Sequence, residues 1–138
     1  MNNNCELCTN PGGDLIWQDD FCRVVRVDDQ DYPGFCRVIL NKHVKEMSDL
    51  SRFQQGNLMT VVFAVEQCIR TVMHPDKINL ASFGNKTPHL HWHIIPRYES
   101  DRHFPNSVWG LSTRESMAQT IDTQTAVKLK KAIQKALG

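Results

Sequence analysis

The chain of 138 residues lacks a charge of one sign: 16 Lys and Arg stand against 15 Asp and Glu, a formal net charge of +1. That excludes the strong basic field behind non-specific nucleic-acid binding, so no nucleic-acid partner is expected. Long apolar runs are missing as well. The longest, such as Val61 to Val65, fall far short of the roughly 20 residues a membrane-spanning helix needs, so no membrane partner is expected. The opening Met1-Asn2-Asn3-Asn4-Cys5 has neither a basic nor an apolar leader region, and the expected location is the cytoplasm. With no repeats, low-complexity tracts or linkers, residues 1–138 are expected to form one domain. An even cysteine count is absent too: five thiols in a chain without an export signal argue against a disulfide framework.

What is present supports a folded core. Hydrophobic residues make up 41% and charged residues 22%, ordinary values for a globular chain. Cys22, Cys36 and Cys68 sit among apolar neighbours and read as small core residues. Cys5 and Cys8 form a Cys-x-x-Cys pair, which means a redox dithiol or half of a metal site. After Gly12-Gly13, three strands are expected, at Asp14 to Gln18, Cys22 to Val27 and Phe35 to Asn41. Asp19-Asp20 is short enough for a hairpin, and the acidic Asp28 to Gly34 makes a longer loop. From Ser51 to about Met73, Phe53, Leu58, Val61, Val62, Val65, Ile69 and Val72 recur at helical spacing. Ser51 and Gln54 read as a capping box, and His74-Pro75 closes the helix.

Two more strands are expected, Lys77 to Phe83 and His89 to Pro96, followed by loop to about Thr120. Thr123 to Leu137 forms a short helix with Ala126, Leu129, Ile133 and Ala136 on one face. The fold class is therefore α+β: a five-stranded antiparallel sheet with one long and one short C-terminal helix.

The chemistry concentrates in His89-Leu90-His91-Trp92-His93-Ile94-Ile95-Pro96-Arg97, where histidine and apolar residues alternate. On a strand, alternate side chains share a face, so one face packs and the other carries three histidines. Neighbouring histidines on that face lie about 7 Å apart at roughly 3.3 Å rise per residue, too far for all three to hold one metal. The three have separate jobs. Half of the six histidines fall in five positions, which chance surface exposure explains poorly, whereas His74 and His103 read as ordinary surface residues.

His-x-His-x-His with apolar intervening residues resembles the signature of the histidine triad (HIT) family of nucleotide hydrolases and transferases. Cys5-Glu6-Leu7-Cys8, the run from Phe35 to Val44 and Pro88 to Arg97 are similar to family segments in the same order, so the resemblance covers most of residues 5 to about 110. His103 to Gly110 resembles a bacterial branch named diadenosine tetraphosphate hydrolases. The resemblance implies that His91 is the nucleophile attacking the α-phosphorus and that His93 bonds a phosphate or leaving-group oxygen. Such an imidazole, with a pKa near 6.5, is a competent nucleophile at pH 7. Asn79 and Asn85 resemble phosphate-contacting positions, and Lys86 stands where many members have Ser or Thr and is taken as a further phosphate contact. Asp28 is the choice for the ribose hydroxyls, because Val27 falls at the usual acidic position. Trp17 and Phe21 are candidates for the base pocket.

The resemblance further implies a structural zinc site of Cys5, Cys8, His43 and His89, with no catalytic metal, and a homodimer with a continuous sheet. The implied activity is hydrolysis at the α-phosphate of a nucleotide, an adenine nucleotide being favoured, either a dinucleoside polyphosphate or a nucleoside phosphoramidate, through a nucleotidyl-histidine intermediate. The alternatives are a nucleotidyltransferase, which glutamine in place of His93 would have favoured, and a non-catalytic nucleotide- or zinc-binding module.

Overall fold

The computed structural model of the chain describes residues 4–116 and 120–138. The opening residues 1–3, read above for an export leader, and residues 117–119 of the expected loop lie outside the described residues. The elements, in order, are α1 (Glu6–Thr9), β1 (Asp14–Gln18), β2 (Cys22–Arg26), β3 (Cys36–Leu40), α2 (Arg52–Met73), β4 (Lys77–Ala81), β5 (His91–Arg97) and α3 (Thr123–Leu137). All strand pairs are antiparallel, in the order β1-β2-β3-β5-β4. The five strands and the two long helices agree with the sequence reading. The one-turn helix α1 was not expected, because four residues are too few to show a helical period.

One expectation requires correction. His89 does not lie on β5, which starts at His91. The preceding segment leaves the ladder: His89 N–H donates to the Thr87 carbonyl, and Leu90 N–H to the Val44 carbonyl. Only His91 and His93 share the strand face, and His89 is free to turn elsewhere.

Alternation then sorts the sheet into two faces. Val24, Val38 and Trp92 align across β2, β3 and β5, and this face packs with Leu58, Val62, Ile69, Leu129 and Ile133 of the two long helices. α2 starts as expected: Ser51 Oγ accepts from Gln54 N–H, while the Gln54 side chain returns to Ser51 N–H. It ends at His74, in the left-handed region with φ 51°, before Pro75. The opposite face carries two rows, Arg23–Ile39–His91 and Val25–Arg37–His93. Across part of it lies the N-terminal segment, where Cys5 and Leu7 pack on Val25 and Ile39. Gly12, at φ +86°, lets the chain turn there; a Cβ would sit 2.7 Å from Ile39 and 2.9 Å from Leu7.

Candidate active site and metal cluster

Cys5, Cys8, His43 and His89 converge, with one ligand atom from each lying within 4.8 Å of all the others. His89 Nδ1 is 3.3 Å from Cys5 Sγ, 3.4 Å from Cys8 Sγ and 3.2 Å from His43 Nδ1. Tetrahedral zinc with bonds of about 2.0–2.3 Å sets its ligands roughly 3.3–3.8 Å apart, close to the three contacts of His89 Nδ1, and pairs out to 4.8 Å would draw in around an ion. The tautomer fits too. His89 Nε2 lies 2.6 Å from the Leu40 carbonyl, which only accepts, so Nε2 carries the proton and Nδ1 offers its lone pair to the cluster. This group could hold a metal. Arg23 secures the segment bearing the cysteines by donating to the carbonyls of Leu7 (2.7 Å), Pro11 (2.9 Å) and Asn10 (3.1 Å).

Beside the cluster is a cleft of about 610 Å³ with His91 and His93 on its floor. Their rings are 4.9 Å apart, nearly perpendicular at 80°. His91 Nδ1 lies 2.6 Å from the His89 carbonyl, so Nδ1 is the protonated nitrogen and Nε2 keeps an unshared pair. Burial lowers the His91 pKa, the bond to the His89 carbonyl opposes this, and the Arg37 cation adds to the lowering. His93 is pushed down to about 3, by burial first and then by His91 and Arg37. Both rings are therefore neutral near pH 7.

Asn85 and Lys86, on the β4–β5 connection, line this cleft with the two histidines, and Gly84 at φ +74° turns the loop. The structure does not bring Asn79 or Asp28 to the cleft lining. Asn79 Oδ1 accepts from Arg97 Nη1 at 2.6 Å, and Asp28 is exposed on the loop after β2. Trp17 and Phe21 pack against the main core.

Sequence reasoning missed Arg37, directly across from His93 in the ladder and lining the cleft. Its Nη1 donates to the Gly12 carbonyl at 3.0 Å, while its buried Nε has no partner among the described residues. A charged residue amid Cys36, Val38, Ile39 and Leu40 was the available signal. Glu6, Phe83 and Trp109 also line the cleft and were missed as well.

At the far end of β5, Arg97, 2% exposed, makes a two-bond pair with Asp101 at 2.8 and 3.1 Å. It also donates to the Asn106 carbonyl at 2.7 Å. Burial alone would raise the Asp101 pKa, but hydrogen bonds from Arg97, Tyr98 N–H and Phe104 N–H hold it below the usual carboxylate value.

A family model described as the HIT domain matches residues 10–100. The AP-4-A phosphorylase of Mycobacterium tuberculosis is 27% identical over 84 residues, covering 56% of this chain and 43% of that protein. The asymmetrical bis(5'-nucleosyl)-tetraphosphatase of Schizosaccharomyces pombe is 34% identical over 74 residues, covering 50% and 41%. The matches thus span less than half the length of these curated relatives. Among solved structures, a histidine triad protein from Bradyrhizobium japonicum is 27% identical, with TM-score 0.72 and coverage of 91% of this chain and 92% of that one. A Zn-bound histidine triad family protein from Mycobacterium smegmatis shares the fold at TM-score 0.66 and 18% identity, with coverage of 96% and 94%.

Proposed function

The chain belongs to the HIT domain family, and on that premise we propose that it hydrolyses a nucleotide at its α-phosphate, releasing a nucleoside monophosphate through a nucleotide bound covalently to His91. The observation that carries this reading is the 2.6 Å contact of His91 Nδ1 with the His89 carbonyl. It leaves Nε2 as the unprotonated nitrogen of a buried neutral ring in a cleft with His93. Nε2 attacks the α-phosphorus, and the bond to the leaving group breaks with its electron pair: a polyphosphate departs as the anion, an amine departs with a proton taken from solvent, and His91 becomes a nucleotidylated imidazolium. The His89 carbonyl accepts from the Nδ1–H of that cation. A neutral His93 can donate an N–H to a phosphate oxygen, and Asn85, Lys86 and Arg37 supply further donors and positive charge. Water then attacks the same phosphorus, the P–N bond breaks, and a proton is released with the monophosphate.

Diadenosine polyphosphate relatives favour that substrate class, with an adenylyl phosphoramidate as the alternative that differs only in what leaves. Cys5, Cys8, His43 and His89 would hold zinc, which would tie the N-terminal segment to the sheet and take no part in the chemistry. A reducing, cytoplasmic setting suits the five free thiols.

A homodimer is part of the same proposal. β4 ends the sheet with one unpaired edge, and α2 exposes Phe53 (82%) and Phe63 (53%), an apolar surface of the kind association covers. Light scattering at micromolar concentration should give twice the chain mass. A turnover panel of diadenosine polyphosphates, adenylyl phosphoramidates and nucleotide sugars tests the activity. Release of a monophosphate that depends on His91 supports it; binding without turnover of any member would leave a nucleotide-binding module instead.

A further inference from the structure

Phe83 and Trp109 come from distant parts of the chain and meet at the cleft that holds His91 and His93. Their ring centres are 4.8 Å apart at 82°, and Trp109 stands 5.0 Å from His93 at 64°. Phe83 is 58% exposed and Trp109 50%. Single exposed aromatics are ordinary, but two in contact at the edge of a polar cleft form a patch that water solvates poorly. Phe83 also lies 6.4 Å from the His93 ring at a tilt of 44°; none of the three contacts is a parallel stack, so among the described residues no protein ring is stacked flat on either side chain.

The loop that carries Trp109 is held in place. Gly110 N–H donates to the Ser107 carbonyl at 3.0 Å, and the buried Arg97 guanidinium holds the Asn106 carbonyl three residues before the indole. A rigid aromatic surface binds a flat ring with little ordering cost. Lys86 lines the same cleft, so a ligand there meets a cation for phosphate and rings for an aromatic group.

We propose that Phe83 and Trp109 form a second nucleobase site, on which the base of the departing nucleotide of a dinucleoside polyphosphate stacks. The inference rests on the hydrolase reading and deepens it. A leaving group as small as ammonia would leave the platform bare, whereas a nucleoside polyphosphate would use both the cation and the rings.

The test compares diadenosine tetraphosphate with adenosine 5'-phosphoramidate in the wild type, Phe83→Ala, Trp109→Ala and Trp109→Phe. Base stacking removed by alanine substitution should raise KM for the tetraphosphate roughly 10- to 100-fold at either position. Any rise in KM for the phosphoramidate should be at least about tenfold smaller, since its leaving group makes no use of the platform. Trp109→Phe should recover most of the loss, which a merely structural role for the indole would not require. Adenosine triphosphate should quench wild-type tryptophan emission, and Trp109→Phe should abolish that quenching. KM shifts of equal size for both substrates, or none for either, would overturn the proposal. So would a dimer that dissociates in Trp109→Ala with both activities reduced alike, since the rings would then serve a protein contact. If the wild type turns over neither substrate, the hydrolase reading falls, and the quenching experiment decides the platform alone.

Discussion

His91 Nδ1 points at the main-chain carbonyl of His89 from 2.6 Å, and His89 Nε2 points at the carbonyl of Leu40 from the same distance. Two histidines two residues apart therefore have opposite tautomers. His91 keeps its proton on Nδ1 and offers Nε2 to the cleft; His89 keeps its proton on Nε2 and offers Nδ1 to the cysteines. A carbonyl can only accept, so each assignment follows from the partner's chemistry.

The metal cluster gives the first prediction. Protein made with zinc under reducing conditions should carry one zinc per chain by elemental analysis. Removal by a chelator should lower the melting temperature, because the stability lost is what the metal supplied. His89→Ala should lose both metal and stability. A metal-free protein whose melting does not respond to chelator would contradict the site.

The Arg97–Asp101 pair gives the second. Asp101→Ala leaves a guanidinium buried without its counterion, and such a loss costs about 3–5 kcal/mol. Asn79→Ala removes one bond to a charged donor and should cost roughly 1.5–3 kcal/mol, with KM little changed. A large KM effect with unchanged denaturation would place Asn79 on the substrate instead. The Asp101 contribution is complete above the unfolded carboxylate value near 3.9 and is lost as pH falls through the lower folded value.

A third prediction concerns acid. His93 titrates near 3 in the folded chain and near 6.5 when unfolded, so between those values the unfolded state binds more protons and stability rises with pH. The effect is absent above about pH 7.5 and reaches about 1.4 kcal/mol of lost stability at pH 5.5. Urea denaturation of zinc-loaded wild type and His93→Gln at the two pH values isolates it, as both carry the same metal ligands. An equal loss in both proteins would show that His93 does not titrate as its burial requires.

Much of the fold was legible because its periods are strong. The helical recurrence from Phe53 to Val72 predicted α2, and the alternation around Trp92 predicted β5 and which face packs. What failed was non-local. The order β1-β2-β3-β5-β4 places β3 beside β5, and no pattern within either strand reports that neighbour. Arg37 therefore passed as one residue of an apolar strand, although the register sets it against His93. His89 was drawn into the strand because alternation is blind to where a ladder ends. Cys5 and Cys8 were legible from their spacing as a dithiol or half of a metal site, but joining them to His43 and His89 rested on the family likeness, since 34 residues separate Cys8 from His43 and 45 separate His43 from His89. Trp109 sits in a stretch without period, where local pattern carries no signal.

The central claim is the covalent bond at His91 Nε2. Wild type mixed with diadenosine tetraphosphate, quenched during turnover and digested should yield a peptide containing His91 with one added nucleotidyl group, labile in acid as a phosphoramidate is. His91→Ala should be folded, still bind nucleoside monophosphate, show no adduct and lose turnover by several orders of magnitude. Near wild-type turnover in His91→Ala, or an adduct on another residue, would contradict the account.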